Sequence, residues 1–526
     1  MAKIFLGLDA STQSMSALAI DALSGEVVYS KSINFGADMP EYASPSGYLK
    51  NPDPSVVHAN PLMWADSLDR LFSAMKADGF DFSGVAAVSG SGQQHGSVYL
   101  NGAFFDSVGA LDASKGLAEQ VGPMLSRATS PIWMDTSTTA ECREIAAAVG
   151  GDAELSRITG SGAIERFTAA QIRKFFKTEP ENYARTRRIH LVSSFICSLM
   201  AGRDCAIDFG DGAGMNLLNL ETLAWDARIM DAVAPGLGDR LPACEPSGNT
   251  AGGVSGYFVK KYGFSPDAKV VLFTGDNPSS LVGVGAMSDA TAAISLGTSD
   301  TFFASMKELA TDPAMCGHVF GNPAGGFMSL ICFRNGSLAR EHLKADISAD
   351  WTFFDKTSFE TTPAGNGGNM MIPFYGDEIA PRVNSSAPKL RGSAEFEAGS
   401  DRAALVRALV EGQFMNMKLR SDWMSSKPAR IRLTGGASKS DGMARVAADV
   451  FNAKIERMKV GNSAALGAAM RAANGAGGFS WEDLAAKFCA DDASKAVMPN
   501  PENVRVYGEL LERFKNFVAD ACGWRG

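Results

Sequence analysis

LGLDASTQS (residues 6–14) and ISLGTSDT (294–301) decide how this chain is read. In the first, Ile4, Leu6 and Leu8 alternate with other residues, which predicts a strand over 3–9. Ala10-Ser11-Thr12-Gln13-Ser14 then turns polar, residues 17–20 are apolar again, and Ser24-Gly25 turns the chain into Val27-Val28. The chain thus opens on a β-meander whose first turn is rich in hydroxyls and led by Asp9. The second stretch repeats the plan: an apolar strand over 290–296, the turn Gly297-Thr298-Ser299-Asp300, then an apolar return over 301–304. The separation of the two units is far beyond a solenoid period, so they imply two related domains from an old duplication. The boundary is expected near residue 288, giving domains 1–288 and 289–526.

Several further strands end in small polar residues. Residues 85–88 run into Ser89-Gly90-Ser91-Gly92, 269–273 into Thr274-Gly275-Asp276-Asn277-Pro278, and 430–433 into Thr434-Gly435-Gly436-Ala437-Ser438, with a helix from about 442 to 452. Thr168 is expected to cap a helix over 169–176. Residues 191–200 predict another helix that Gly202 stops. Residues 365–369 read as a glycine loop, and the chain from Phe479 as largely helical, amphipathic over 504–518. The fold class is α/β.

The 526 residues are 45% hydrophobic and 20% charged, enough for more than one buried core, which excludes disorder and small disulfide scaffolds. The 49 basic and 58 acidic residues leave a net charge of −9, which argues against nucleic-acid and anionic-membrane partners. No two of the eight cysteines form a CxxC pair, and with five scattered histidines there is no zinc spacing. Such usage fits thiols in a reducing cytosol. The first residues lack a signal-peptide pattern, and the most apolar stretch, 191–201, is too short and serine-rich to span a bilayer. A cytoplasmic protein is expected.

There is no GxxxxGK[ST] loop, no HRD or DFG motif set and no GxSxG elbow. GSGQQHG (90–96) places His95 where a dinucleotide loop needs its last glycine. What remains are Gly/Ser/Thr turns at strand ends. Their N–H groups and hydroxyls suit phosphates, and a carboxylate beside them can hold Mg²⁺ through waters. Asp9-Ala-Ser11-Thr12 and Gly297-Thr298-Ser299-Asp300 have this chemistry, and Thr434-Gly435-Gly436 lets a flat ligand approach the backbone. Asp211 lies in a flexible, glycine-flanked loop, DFGDGAG (208–214), where it could accept a proton from an attacking hydroxyl or simply cap the next turn. Read singly, His95, Arg166, Trp351 and Asp276-Asn277 are ordinary structural residues.

Their ordered combination resembles the FGGY family of sugar kinases over residues 4 to about 473. The carrying motifs are LGLDASTQS (6–14), SGQQHG (91–96), IERFTAAQI (164–172), IDFGDGAGMNLL (207–218), FTGDNPSSL (273–281), ISLGTSDT (294–301), CFRNGSL (332–338) and TGGAS (434–438). Within that family the chain is most similar to xylulokinases of the longer, animal-like type. His95 and Asn277 stand where glycerol kinases carry an Arg-Glu pair and a glutamine. The resemblance implies two actin-like, ribonuclease-H-like ATPase domains with a catalytic cleft between them. It implies ATP and Mg²⁺, and D-xylulose or a related ketose or polyol such as ribulose, handled by a monomer or homodimer. By the same resemblance, Asp9 holds the metal, and Ser11, Thr12, Gly297 and Thr298 contact the nucleotide. Trp351 packs on the adenine beside Gly435, Gly436, Ala437 and Ser440. His95, Arg166, Asp276 and Asn277 contact the open-chain sugar, and Asp211 is the catalytic base. The Trp133-Met-Asp135 stretch lacks the arginine many members carry after it, so Asp135 receives no catalytic role. An actin-like ATPase or filament protein, and a sugar-binding regulator without catalysis, are the competing readings.

Overall fold

The computed structural model describes residues 3–458, 461–490 and 495–524. The alternation at the head of the chain forms β1 (Ile4–Ala10), which pairs antiparallel with β2 (Ser14–Asp21), itself antiparallel to β3 (Glu26–Asn34). On the other side of β1 lies β4 (Val85–Gly92), parallel to it. Beyond β4 come β5 (Thr250–Gly253), β6 (Lys269–Val271) and β7 (Thr274–Gly275). Both β6 and β7 run parallel to β4, and β5 runs antiparallel to β6. The sheet order is β5-β6-β4-β1-β2-β3, with β7 also on β4. The inner strands are buried on both faces, which is why β1, apart from Asp9, and β4 read as apolar and small.

A second sheet contains β8 (Thr291–Leu296), β9 (Asp300–Met306), β10 (Gly317–Gly321), β11 (Phe327–Phe333), β12 (Arg430–Thr434) and β13 (Lys454–Arg457). Its order is β10-β11-β9-β8-β12-β13. The pairs β8/β9 and β9/β11 are antiparallel, and β8/β12 and β12/β13 are parallel. This repeats the sense of β1/β2, β2/β3, β1/β4 and β4/β6, so the two strand–turn–strand stretches open two copies of one actin-like plan.

The chain forms two compact units, Met1–Gly285 with Phe320–Gly326 and Gly461–Cys489, and Ala286–Val319 with Phe327–Val460 and Ala490–Gly526. The sequence reading supposed contiguous halves meeting near 288; in the structure the halves interleave. The helix Ser463–Gly477 shows why it belongs to the first unit. A Cβ on Gly7 of β1 would sit 2.0 Å from the Ala465 carbonyl oxygen, and one on Gly283 would sit 1.9 Å from that of Ser463. Backbone approaches this close need glycine.

Three local expectations are corrected. Thr168 is the first residue of the helix Thr168–Thr178 rather than its cap, and its hydroxyl donates to the His95 carbonyl at 3.1 Å. Residues 209–215 are not a flexible loop but a buried helical turn, Phe209–Gly212, followed by a 3₁₀ turn, Ala213–Met215. The glycine loop at 365–369 contains a 3₁₀ turn, Asn366–Gly368. Towards the C-terminus lie the helices Trp481–Phe488 and Pro501–Cys522. Among the described residues, no helix is long and apolar enough to cross a membrane.

Candidate active site

In the first unit, three parallel strands end side by side. Register sets Asp9 of β1 opposite Ser91 of β4, and Ser91 opposite Thr274 of β7. Side chains from three distant motifs therefore converge. Asp9 is buried; Ser91 Oγ donates to its Oδ1 at 2.8 Å and Ser11 Oγ donates to its Oδ2. Burial pushes the Asp9 carboxyl above its ordinary range, and the two hydroxyls partly oppose this. Thr12 Oγ1 accepts from the indole Nε1 of Trp133 at 2.8 Å.

Directly after β7, the helix Asp276–Gly283 carries Asp276 and Asn277 in its first turn. Asp276 keeps an accessible edge but is packed round by protein, and burial, then the charge of Asp9, pushes its carboxyl up to about 7. Asn277 Nδ2 donates to Gln94 Oε1 at 2.8 Å and to Asp276 Oδ1 at 3.1 Å. His95 takes the left-handed conformation, φ 72°, and stacks on Phe167 with centroids 4.2 Å apart. Its Nδ1 lies 2.7 Å from the Gly214 carbonyl oxygen. A carbonyl only accepts, so Nδ1 carries the proton and Nε2 presents a lone pair. Burial, then the charge of Arg166, pushes the ring down to about 3, so it is neutral at physiological pH. Arg166 sits on the turn before the helix Thr168–Thr178, its guanidinium 5.8 Å from the Phe167 ring centre.

Asp211 is fully buried. Asp208 caps its helical turn, accepting from the Asp211 backbone N–H at 2.9 Å, so Asp211 is not itself the cap. Ser193, at the start of the helix Val192–Ala201, donates to Asp211 Oδ2, while Oδ1 has no partner. A Cβ on Gly275 would lie 2.9 Å from that oxygen and 2.4 Å from Gln94 Cγ, which places Asp211, Gln94 and the end of β7 against one another. Burial, then the nearby Asp208 charge, holds the Asp211 carboxyl well above its usual range. Thr274 Oγ1, Gln94 Nε2 and both polar ends of Gln93 are likewise buried without partners. Buried groups normally find partners, so this set matches a ligand rich in hydroxyls. Gln93 and Gln94 escaped the sequence reading; the signal was there, two consecutive amides at a strand end. Asp135 accepts from Val57 N, Ser137 N and Gln171 Nε2, which occupies both of its oxygens in tying elements together.

In the second unit, β8 and β12 end together, and a cavity of about 320 Å³ opens there, lined among others by Gly297, Thr298, Arg340, Trp351, Gly436 and Ala437. A second cavity of about 310 Å³ shares Gly436 and Ala437 and reaches Ser440. Gly435 bridges strand and turn at φ 85°, where a Cβ would lie 2.4 Å from the Leu296 carbonyl oxygen, so only glycine serves. Trp351 is 44% exposed, its ring edge-to-face with Phe354. Asp300 departs from the reading of its turn. Both of its oxygens accept from buried Arg340, each at 2.9 Å, so this turn offers backbone N–H groups and the Thr298 hydroxyl rather than an open carboxylate. Arg340 and Asp355, which also line the cavity, had no sequence signal.

No group of three or more His, Cys, Asp or Glu side chains among the described residues could cage a metal. A lone buried carboxylate such as Asp9 fits Mg²⁺, which keeps its waters and binds mainly through ligand phosphates.

Comparison with known proteins bears on both units. Models of the N-terminal and C-terminal domains of the FGGY family of carbohydrate kinases match residues 119–283 and 292–476. A xylulose kinase of Rattus norvegicus is 41% identical over 522 residues, covering 97% of this chain and 95% of its own. Among solved structures, a xylulose kinase from Rhodospirillum rubrum superposes with a TM-score of 0.81 at 19% identity, over 98% of this chain and 99% of that one. A gluconate kinase from Lactobacillus acidophilus gives the same TM-score at 21% identity, over 99% of each chain, so the fold by itself leaves the sugar open. Matched by both domain models and by a relative along nearly its whole length, the chain belongs to the FGGY family of carbohydrate kinases.

Proposed function

We propose that this enzyme transfers the γ-phosphoryl group of ATP to the terminal hydroxyl of D-xylulose, giving D-xylulose 5-phosphate and ADP. The similarity to xylulose kinases from animals and plants supports the substrate. One observation carries the chemistry: a buried carboxyl, Asp211, with a free oxygen, beside Gln94, whose amide nitrogen has no partner, and at the end of the strand that leads into Asp276 and Asn277.

The open-chain sugar needs partners of both senses. His95 Nε2 accepts from a hydroxyl, the Arg166 fork donates, and Asp276 and Asn277 complete the set. Asp211 Oδ1 takes the proton of the terminal hydroxyl as the O–P bond forms and the bridging P–O bond to ADP breaks. Its raised pKa makes it a stronger base than an ordinary carboxylate. Asp9, with Ser11 and Thr12 beside it, would hold Mg²⁺ through water, and that ion supplies charge neutralisation for the triphosphate when bound. In the second unit, the Gly297-Thr298 turn receives phosphate oxygens, and Trp351 flanks the adenine beside Gly435, Gly436, Ala437 and Ser440. All eight cysteines are unpaired, which supports a reducing, cytoplasmic setting.

The test is an ADP-release assay with ATP, Mg²⁺ and a panel of pentuloses and polyols. D-xylulose should give the highest kcat/KM. A preference for ribulose or a polyol would replace the sugar, and no sugar-dependent release would end the kinase reading. Asp211→Asn should keep sugar affinity by calorimetry and lose at least ~10²-fold in kcat; near-normal turnover would remove Asp211 as base.

A further inference from the structure

The helix Ser463–Gly477 carries one residue out of keeping with its surroundings. Residues 464–473 are all buried, nearly all alanine, glycine, leucine or methionine, yet Arg471 sits among them at 2% exposure. An uncompensated buried charge is costly, so its retention asks for a use. Among the described residues, the Arg471 guanidinium makes no bond to a carboxylate. Nη1 donates to the Gly90 carbonyl at 3.0 Å, and Nη2 donates to the carbonyls of Leu272 and, at 3.4 Å, Ser247.

Each of these carbonyls lies one or two steps from the active site described above. Gly90 precedes Ser91, which holds Asp9. Leu272 lies between β6 and β7, two residues before Thr274, and also accepts from Ser89 of β4 at 3.0 Å. Ser247 donates through its hydroxyl to Asp208 Oδ2, and Asp208 Oδ1 accepts from the backbone N–H of Asp211. One side chain from the far end of the sequence therefore ties together three segments that carry the site.

We propose that Arg471 is a positioning residue for phosphoryl transfer: it fixes the ends of β4 and β7 and, through Ser247 and Asp208, the turn bearing Asp211, while its unneutralised charge faces those two carboxylates. The proposal rests on Asp211 being the base. The charged and titratable groups that act on Asp211 include Asp208 at its own turn, Asp276 on the helix Asp276–Gly283, Cys244 on the strand Cys244–Glu245, and Arg471. Of these, Arg471 is the cation, and it opposes the upward push of burial and of the two aspartates. Carbonyl partners leave that charge intact, where a salt bridge would have spent it.

The test is the pH dependence of kcat. Turnover falls on the acid side as Asp211 takes up its proton. In Arg471→Met that limb should move to higher pH by about one unit, and kcat at neutral pH should drop at least ~10-fold, with a smaller change in sugar KM. Arg471→Lys, which keeps the charge, should return the limb towards its original position while recovering only part of kcat. Near-ultraviolet circular dichroism establishes folding of each variant. Should Arg471→Met not fold, Ser247→Ala removes the link to Asp208 with little change in volume, and should lower kcat without raising sugar KM to match. A folded Arg471→Met with the original limb and kcat overturns the proposal, as does an unaltered Ser247→Ala when the methionine variant does not fold. Asp211→Asn run alongside separates the two ideas: if it stays active, the base assignment has failed; if it is inactive while the Arg471 and Ser247 variants behave normally, only the positioning role has.

Discussion

Asp9, Asp211 and Asp276 are three carboxyl groups that each fold into surroundings that disfavour their charge. Such groups make a site reactive at a cost in stability. For Asp276 the sign is definite. Its folded-state pKa of about 7 lies above the ordinary 3.8, so the folded chain holds that proton more tightly than the unfolded chain does. Its contribution is fully present below the ordinary value and is lost as pH rises towards 7. Asp276→Asn should therefore raise Tm at pH 8 by roughly 2–4 °C and by less at pH 5, while raising sugar KM; a uniform shift at both pH values, followed by circular dichroism, would contradict the burial argument. His95 is neutral throughout the working range, so kcat/KM for the sugar should show no limb near pH 6.5 that vanishes in His95→Asn. Asn277→Ala should raise KM for sugar more than for ATP in steady-state kinetics, since its amide is tied to Gln94 in the first unit; equal effects would take Asn277 out of the sugar site. At this scale the motifs were legible because turn chemistry is local. The unpartnered Nε2 of Gln94 was not, because its lack of a partner is a property of its neighbours.

At the scale of elements, two helices decide where Asp276 and Asn277 stand. The helix Asp276–Gly283 crosses the helix Ser463–Gly477 at Gly283 and Gly467, and a Cβ on Gly467 would lie 1.8 Å from the Ser279 carbonyl oxygen. That atom belongs to backbone and cannot swing aside. Gly467→Ala should cost on the order of 1–3 kcal/mol, lowering Tm, and should raise sugar KM by displacing the first turn that bears Asn277. A melting temperature and sugar KM equal to those of the parent enzyme would refute the close crossing. Strand positions were legible from period-two alternation and from Gly/Ser/Thr punctuation. The turn at 209–212 was misread because glycines flanking an aspartate suggest looseness, whereas here Gly210 and Gly212 are small so that Thr274 and Cys244 can pack against the turn.

For the whole molecule, two sheets that share the order of five strands, β6-β4-β1-β2-β3 in one and β13-β12-β8-β9-β11 in the other, account for the repeat first seen in residues 6–14 and 294–301. The chain does not divide where the repeat does, because Gly461–Cys489 completes the first unit. A fragment ending at residue 285 lacks the helix that covers β1 at Gly7. It should show no cooperative thermal transition, whereas adding residues 461–489 through a flexible linker should restore one. A sharp transition in the short fragment would show that the returning segment is dispensable.

The α/β class, the duplicated strand–turn–strand plan and the residue types at the strand ends could be read from the chain alone, because alternation, turn chemistry and glycine placement act over a few neighbours. Folding in three dimensions was needed to see that Asp300 is neutralised by Arg340, that Asp211 keeps an oxygen free, and that Arg471 is buried on the carbonyls of Gly90 and Leu272. Those facts depend on which charges and dipoles meet in space across tens to hundreds of residues, and burial, which sets their strength, is a property no short stretch of chain possesses.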